Sequence, residues 1–127
     1  MAQSPLKFYS HNIHGFNSPV KRSKVFHYLK SSSVDVVCLQ ETRFSSSSAP
    51  KFVSSHFPTF YLASAPEKHR GVLIAFRRNL LFSCSKEIAD STGKYLLLQG
   101  TLNGQNVTLV GYYAPNRFQH KFFFSPS

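Results

Sequence analysis

A chain of 127 residues is at most one ordinary domain, long enough to bury a core of its own. Fifteen Lys and Arg against five acids give a net charge of +10, which points to a polyanionic partner, nucleic acid first and an anionic membrane surface second. No stretch approaches the ~18 apolar residues of a membrane-crossing helix, and residues 1–7 hold no apolar core of a secretory signal.

In chain order, residues 6–11 read as a first strand and 12–17 as a loop. Ser18 followed by Pro19 is a helix start, a hydroxyl cap and then a proline where no amide hydrogen bond is lost. The helix is expected to run to about Leu29, with Val25, Phe26 and Leu29 on one face and Lys21, Arg22, Lys24 and Lys30 elsewhere. Ser31-Ser32-Ser33 ends it, and residues 34–40 form an interior strand. Residues 45–48 are a serine loop, and 52–57 are a short helix or nothing regular. Strands follow at 60–63, 71–76, 80–88, 94–102 and 107–113, with Lys68, His69 and Arg70 in the loop before Gly71. Asn103-Gly104 predicts a tight hairpin with a type I′ turn. The tail, with Phe122-Phe123-Phe124, reads as an element cut short whose partner surface the chain does not obviously supply.

Cys38 and Cys84 sit in apolar runs; two cysteines are too few for a disulfide framework and lack zinc spacing. They read as buried thiols of a reducing compartment, nuclear or cytoplasmic, although Lys21-Arg22-Ser23-Lys24 is too short to identify a nuclear signal.

The most informative run is Val36-Val37-Cys38-Leu39-Gln40-Glu41, an apolar strand ending in a carboxylate. A Glu where a strand leaves the core is costly unless something compensates its charge. Only Asp35, Glu41, Glu67, Glu87 and Asp90 carry acid groups, so Glu41 is a candidate for holding a cation. Asn12 after the first strand, and Tyr113 and Asn116 after the last, are expected to share a rim with it. One carboxylate with neutral amide and phenol groups suits Mg²⁺, which keeps several waters and takes substrate phosphate oxygens as ligands. Taken singly, Tyr113 also reads as a packed strand-end aromatic, Asn116 as a turn residue, and Glu41 as a solvated loop residue.

The ordered motifs Asn12-Ile13-His14-Gly15, Leu39-Gln40-Glu41-Thr42, Gly71-Val72 and Tyr113-Ala114-Pro115-Asn116 resemble the endonuclease/exonuclease/phosphatase superfamily across about residues 6–118. With Asn17-Ser18-Pro19 and Lys21-Arg22, the chain looks most like the endonuclease domain of LINE-type non-LTR retrotransposons. The resemblance implies an α/β fold, the N-terminal half of a DNase I-like α/β sandwich, with residues 1–127 a partial domain ending before the second sheet. It implies Glu41 as the Mg²⁺ carboxylate, Asn12 as its neighbour in the metal's water shell, and Tyr113 and Asn116 as phosphate ligands. Lys21, Arg22 and Arg43 would contact the DNA backbone, where positive charge gains most from counterion release.

Two departures from the family pattern stand out. His14 occupies a position where related nucleases carry Asn or Asp. No acid follows Asp90, and His120 has no adjacent Asp, so the later Gly-Asp-x-Asn and Ser-Asp-His motifs are missing. Those groups activate the attacking water, a contribution of about 10²–10⁴ in rate. The resemblance therefore implies a Mg²⁺-dependent DNA endonuclease domain of retrotransposon origin, truncated and inactive alone. The alternatives are a non-catalytic basic nucleic-acid-binding fragment and a gene remnant without function. A phosphatase would share the fold, but the positive charge and the N-terminal motifs argue against it. One sheet and its helix would leave an apolar inner face uncovered, inviting self-association.

Overall fold

All five side chains of Val36–Gln40 and all five of Val72–Phe76 are buried, as two central strands covered on both faces must be. The computed structural model describes residues 5–113 and the backbone of a last strand. The elements are β1 (Phe8–Asn12), α1 (Pro19–Ser31), β2 (Val36–Gln40), β3 (Thr59–Ala63), β4 (Val72–Phe76), β5 (Phe82–Ala89), β6 (Tyr95–Leu102), β7 (Gln105–Tyr112) and β8 (Lys121–Pro126). Residues 52–57 form no helix or strand.

The first sheet has the order β1-β2-β4-β3, with β1 parallel to β2 and the other pairs antiparallel. Ser18 caps α1 as the sequence predicts, its side chain accepting from the Lys21 amide at 3.2 Å. The helix buries Phe26 and Leu29 against Val37, Leu39, Leu73 and Ala75 on the outer face of this sheet. Phe16, Phe44 and Phe57 fill the same layer, with Phe16 5.6 Å and Phe57 5.5 Å from the Phe26 ring.

The α/β class and the mixed first sheet agree with the sequence; the sheet count does not. A second sheet, β5-β6-β7-β8, packs across the inner face of the first. Alternation puts Leu96, Leu98 and Leu102 of β6 and Val107 and Leu109 of β7 inward, against Val36, Cys38, Val72, Ile74 and Phe76. The face expected to lie bare is covered, and with it goes the reason to expect self-association there. The tail also has a partner, since the β8 backbone pairs antiparallel with β7. Asn103 and Gly104 join β6 to β7 with φ of 50° and 84°, the positive pair that a type I′ turn needs.

The sheets are pinned at both ends. At one, Phe82 of β5 stacks on Phe76 of β4 with centroids 4.2 Å apart, and Tyr61 meets Phe76 edge-on at 6.1 Å. At the other, β7 comes so close that a Cβ on Gly111 would lie 2.5 Å from Cys38 Sγ and 2.9 Å from Val72 Cγ1. Burial there pushes the Cys38 thiol up to about 12, so it remains a protonated, inert packing group. Cys84, expected to be buried, is half-exposed; both cysteines are free.

Gly111→Val should lower the unfolding free energy by about 1–3 kcal/mol through overpacking between the sheets. Gln105→Val, at an exposed position of the same strand, should change it by less than about 0.5 kcal/mol. Urea denaturation of the two variants checks both values.

Candidate active site

Because β1 and β2 are parallel, Asn12 and Glu41 leave the first sheet at the same rim. The hydrogen-bonded ladder continues past the strand ends. On one side the amides of Ile13, Gly15 and Phe16 donate to the carbonyls of Gln40, Glu41 and Thr42 at 2.9, 2.7 and 2.8 Å. On the other, Glu41 N–H donates to Gly71 O at 2.7 Å and Arg43 N–H to Arg70 O at 2.7 Å. This lacing holds an unusual density of left-handed backbone: His14, Glu41, Arg43 and Arg70 have φ of 52°, 60°, 61° and 59°. Such residues cost of order 1–3 kcal/mol each and persist where the surroundings over-determine them. Gly71 is needed beside them, since its φ is +105° and an added Cβ would sit 2.2 Å from Thr42 Oγ1.

The Glu41 side chain is 15% exposed. Its Oε2 is buried and makes no hydrogen bond. His14 Nδ1 lies 3.0 Å away and Arg43 Nη2 3.2 Å, within ion-pairing distance but not aligned as hydrogen bonds. The ion pairs offset the charge; the acceptor itself stays unsatisfied, which favours a cation at this oxygen. The His14 ring is 72% exposed and so can swing away.

Glu41 opens into a pocket of about 850 Å³ lined also by Arg43, Lys68, His69, Arg70, Lys94, Tyr112 and Tyr113. The second sheet supplies the last three. Tyr113 N–H donates to Lys94 O at 2.6 Å, tying the end of β7 to the turn before β6, and the Tyr113 residue packs on the inter-sheet core. Gly71 N–H donates to Gly93 O at 2.9 Å, joining that turn to the first sheet. A single carboxylate among cationic and phenolic side chains is a chemistry for phosphate: bound charges on one side, a metal ligand on the other.

Of the residues singled out from sequence, Glu41, Arg43 and Tyr113 meet in this pocket. Asn12 stands beside it, its Oδ1 accepting from the His14 amide at 3.0 Å. Lys21 and Arg22 brace the rim from behind: Lys21 Nζ donates to Ile13 O at 2.7 Å, and Arg22 Nη1 to Phe16 O at 3.0 Å and Asn17 O at 2.9 Å. Asn116 lies outside the described residues. Sequence reasoning missed Lys68, His69, Arg70 and Lys94 as pocket residues. The run Lys68-His69-Arg70 immediately before Gly71 was the signal for three of them; Lys94 depends on how the sheets meet. Among the described residues, no three His, Cys, Asp or Glu side chains cluster as a metal site. Glu41 fits Mg²⁺ as a sole protein carboxylate, with water and phosphate oxygens completing the shell.

A sequence profile of the Endonuclease/Exonuclease/phosphatase family matches residues 9–123. Among solved structures, the chain is similar to an AP endonuclease from Archaeoglobus fulgidus, with a TM-score of 0.59 at 21% identity over 87% of this chain and 42% of that one. It is similar to the 3′ phosphatase NExo from Neisseria bound to product DNA hairpin, with a TM-score of 0.56 at 19% identity over 86% of this chain and 41% of that one. For the 3′-5′ exonuclease NExo from Neisseria meningitidis the TM-score is 0.54 at 19% identity, over 84% of this chain and 41% of that one. At these identities the shared property is the fold, and the chain spans about two-fifths of the length of these structures.

The turn that carries Lys94 has its own titrating anchor. Asp90 Oδ2 accepts from the Thr92 hydroxyl, from Lys94 N–H at 3.0 Å and from Thr92 N–H at 3.3 Å. The Thr92 hydroxyl first, then the Lys94 amide, hold this carboxyl below its ordinary value of 3.8. A lowered folded value means that the stabilisation is complete above pH 3.8 and is lost as pH falls through the lower value. Asp90→Asn should therefore be less stable at neutral pH, and should lose less stability than the parent between about pH 4 and pH 2. Thermal melts across that range check the difference in slope.

Proposed function

The chain belongs to the endonuclease/exonuclease/phosphatase family, and on that premise we propose that it is part of a Mg²⁺-dependent DNA phosphodiesterase of the LINE-type retrotransposon kind. The observation that carries this reading is the buried, hydrogen-bond-free Oε2 of Glu41 facing a pocket otherwise lined by cations and phenols. Bound at Glu41, with Asn12 beside it, Mg²⁺ would neutralise phosphate charge and polarise the phosphorus–oxygen bonds. Arg43, Arg70, Lys68 and Lys94 bind the non-bridging oxygens of the scissile and flanking phosphates. Tyr113, anchored through Lys94 O, donates its phenol to the scissile phosphate, and Asn116 serves as a further phosphate ligand.

The retrotransposon assignment rests on Asn17-Ser18-Pro19 and Lys21-Arg22. These residues have a structural task that supports it: Asn17 Nδ2 donates to Arg43 O at 2.7 Å, so the motif holds the arginine beside Glu41. The Neisseria relative bound to product DNA hairpin supports DNA as the partner.

Residues 1–127 hold the phosphate and metal but do not complete hydrolysis alone. Glu41 is the sole acid lining the pocket among the described residues. As a metal ligand, it leaves no carboxylate to act as general base, a role worth about 10²–10⁴ in rate. The excess of cationic side chains over this one acid also favours a second reading, a basic DNA-binding unit without turnover.

Incubation of supercoiled plasmid with the 127-residue chain and Mg²⁺, with Glu41→Ala as control, should show no nicking by either protein. Salt-sensitive DNA binding should remain in both. Arg70→Gln with Lys94→Gln should reduce the slope of log affinity against log salt by about 1–2. Nicking that disappears in Glu41→Ala would contradict the incomplete-site account, and absence of DNA binding would contradict both readings.

A further inference from the structure

α1 carries a second basic surface that the rim does not use. Arg22, Phe26 and Lys30 follow one another at four-residue spacing, and His27 lies beside them on the same wall of a groove of about 450 Å³. Residues 52–56 form the opposite wall, with His56 half-buried within it and Phe52 65% exposed at the lip. This wall is held in place. His56 N–H donates to Ser54 Oγ at 3.1 Å, and the His56 ring meets the buried Phe57 ring edge-on at 5.0 Å. Arg78 braces it from below, its amide donating to His56 O at 2.7 Å and its Nη2 to Ser55 O at 2.9 Å.

Among the described residues, no acid lines the groove. The nearest carboxylate in the argument, Asp35, is engaged by the Arg77 guanidinium and the Lys7 amide. Burial lowers the pKa of His56, and the positive fields of Lys30, Arg78 and Arg77 lower it further. Like charges gathered around a concave surface repel one another until an anion enters. The exposed phenylalanine at its lip says which kind: a basic groove with an aromatic platform is how proteins hold an unpaired strand, phosphates on the cations and a base on the ring. Bases within a duplex are stacked on each other and offer the ring no face.

We propose that the groove between α1 and residues 52–56 is a binding site for single-stranded nucleic acid, with Arg22, Lys30 and His56 toward its phosphates and Phe52 stacked on a base. The site lies on the helix layer and needs neither Glu41 nor a metal, so it goes beyond the rim chemistry.

Fluorescence anisotropy of the full chain with labelled oligothymidylate, and with a duplex of equal length, tests it. Phe52→Ala should weaken single-strand binding about 5–20-fold and duplex binding less than about 2-fold. Lys30→Gln with His56→Gln should lower the single-strand salt slope by about 1. Both effects should persist in an Arg70→Gln/Lys94→Gln background, so a failure of the rim reading does not remove them. The His56 ring resonances should shift during the titration, in step with the anisotropy. Unchanged single-strand affinity in Phe52→Ala, equal losses for single strand and duplex, or unmoved His56 resonances would overturn the proposal.

Discussion

At Gly111, β7 passes so close to β2 and β4 that any side chain would overlap the Cys38 sulfur and a Val72 methyl. Further along, the same interface is filled by leucines and by the stacked rings of Phe76 and Phe82. The sheets therefore converge toward the end at which β2 and β7 terminate. That convergence carries Tyr113 and Lys94 from one sheet to the mouth of a pocket whose acid, Glu41, belongs to the other. Neither sheet alone contains the site.

Local backbone geometry does the rest. Chain leaving a central strand ordinarily relaxes, yet residues 40–43 stay hydrogen-bonded on both flanks while Glu41 and Arg43 adopt left-handed conformations. The strain is maintained because undoing it would break several main-chain bonds at once. Its consequence is a carboxylate oxygen pressed inward and left without a hydrogen bond, beside a guanidinium and an imidazole that offset its charge. A divalent cation completes such an arrangement better than either side chain does. No helix among the described residues is long and apolar enough to cross a membrane, which leaves nucleic acid as the polyanion to which the positive charge is best matched.

Much of this was legible in the residues. The β2 and β4 runs are apolar without interruption and had to be central; Ser18-Pro19 and Asn103-Gly104 carry their own backbone chemistry and appear where expected. Glu41 stood out because few acids were available to explain. The partition into two sheets was hidden, since the alternation of Leu96, Leu98, Val107 and Leu109 shows that one face is buried but not which surface buries it. The roles of cations were the least legible. Lys21 and Arg22 look like backbone-contacting charges, but their head groups hold the carbonyls of the 13–17 loop. Lys94, an unremarkable strand-start residue in sequence, enters the pocket through a turn fixed by Asp90.

The most direct test of the central claim, a divalent-cation site at the Glu41 rim next to Tyr113, is paramagnetic broadening of amide signals by Mn²⁺ in the isotopically labelled chain. The account predicts that Glu41, Thr42, Arg43, Gly71 and Tyr113 broaden first, that Mg²⁺ competes the effect away, and that Glu41→Ala abolishes it. Broadening centred on another carboxylate, such as Asp90, or unchanged in Glu41→Ala, would contradict it.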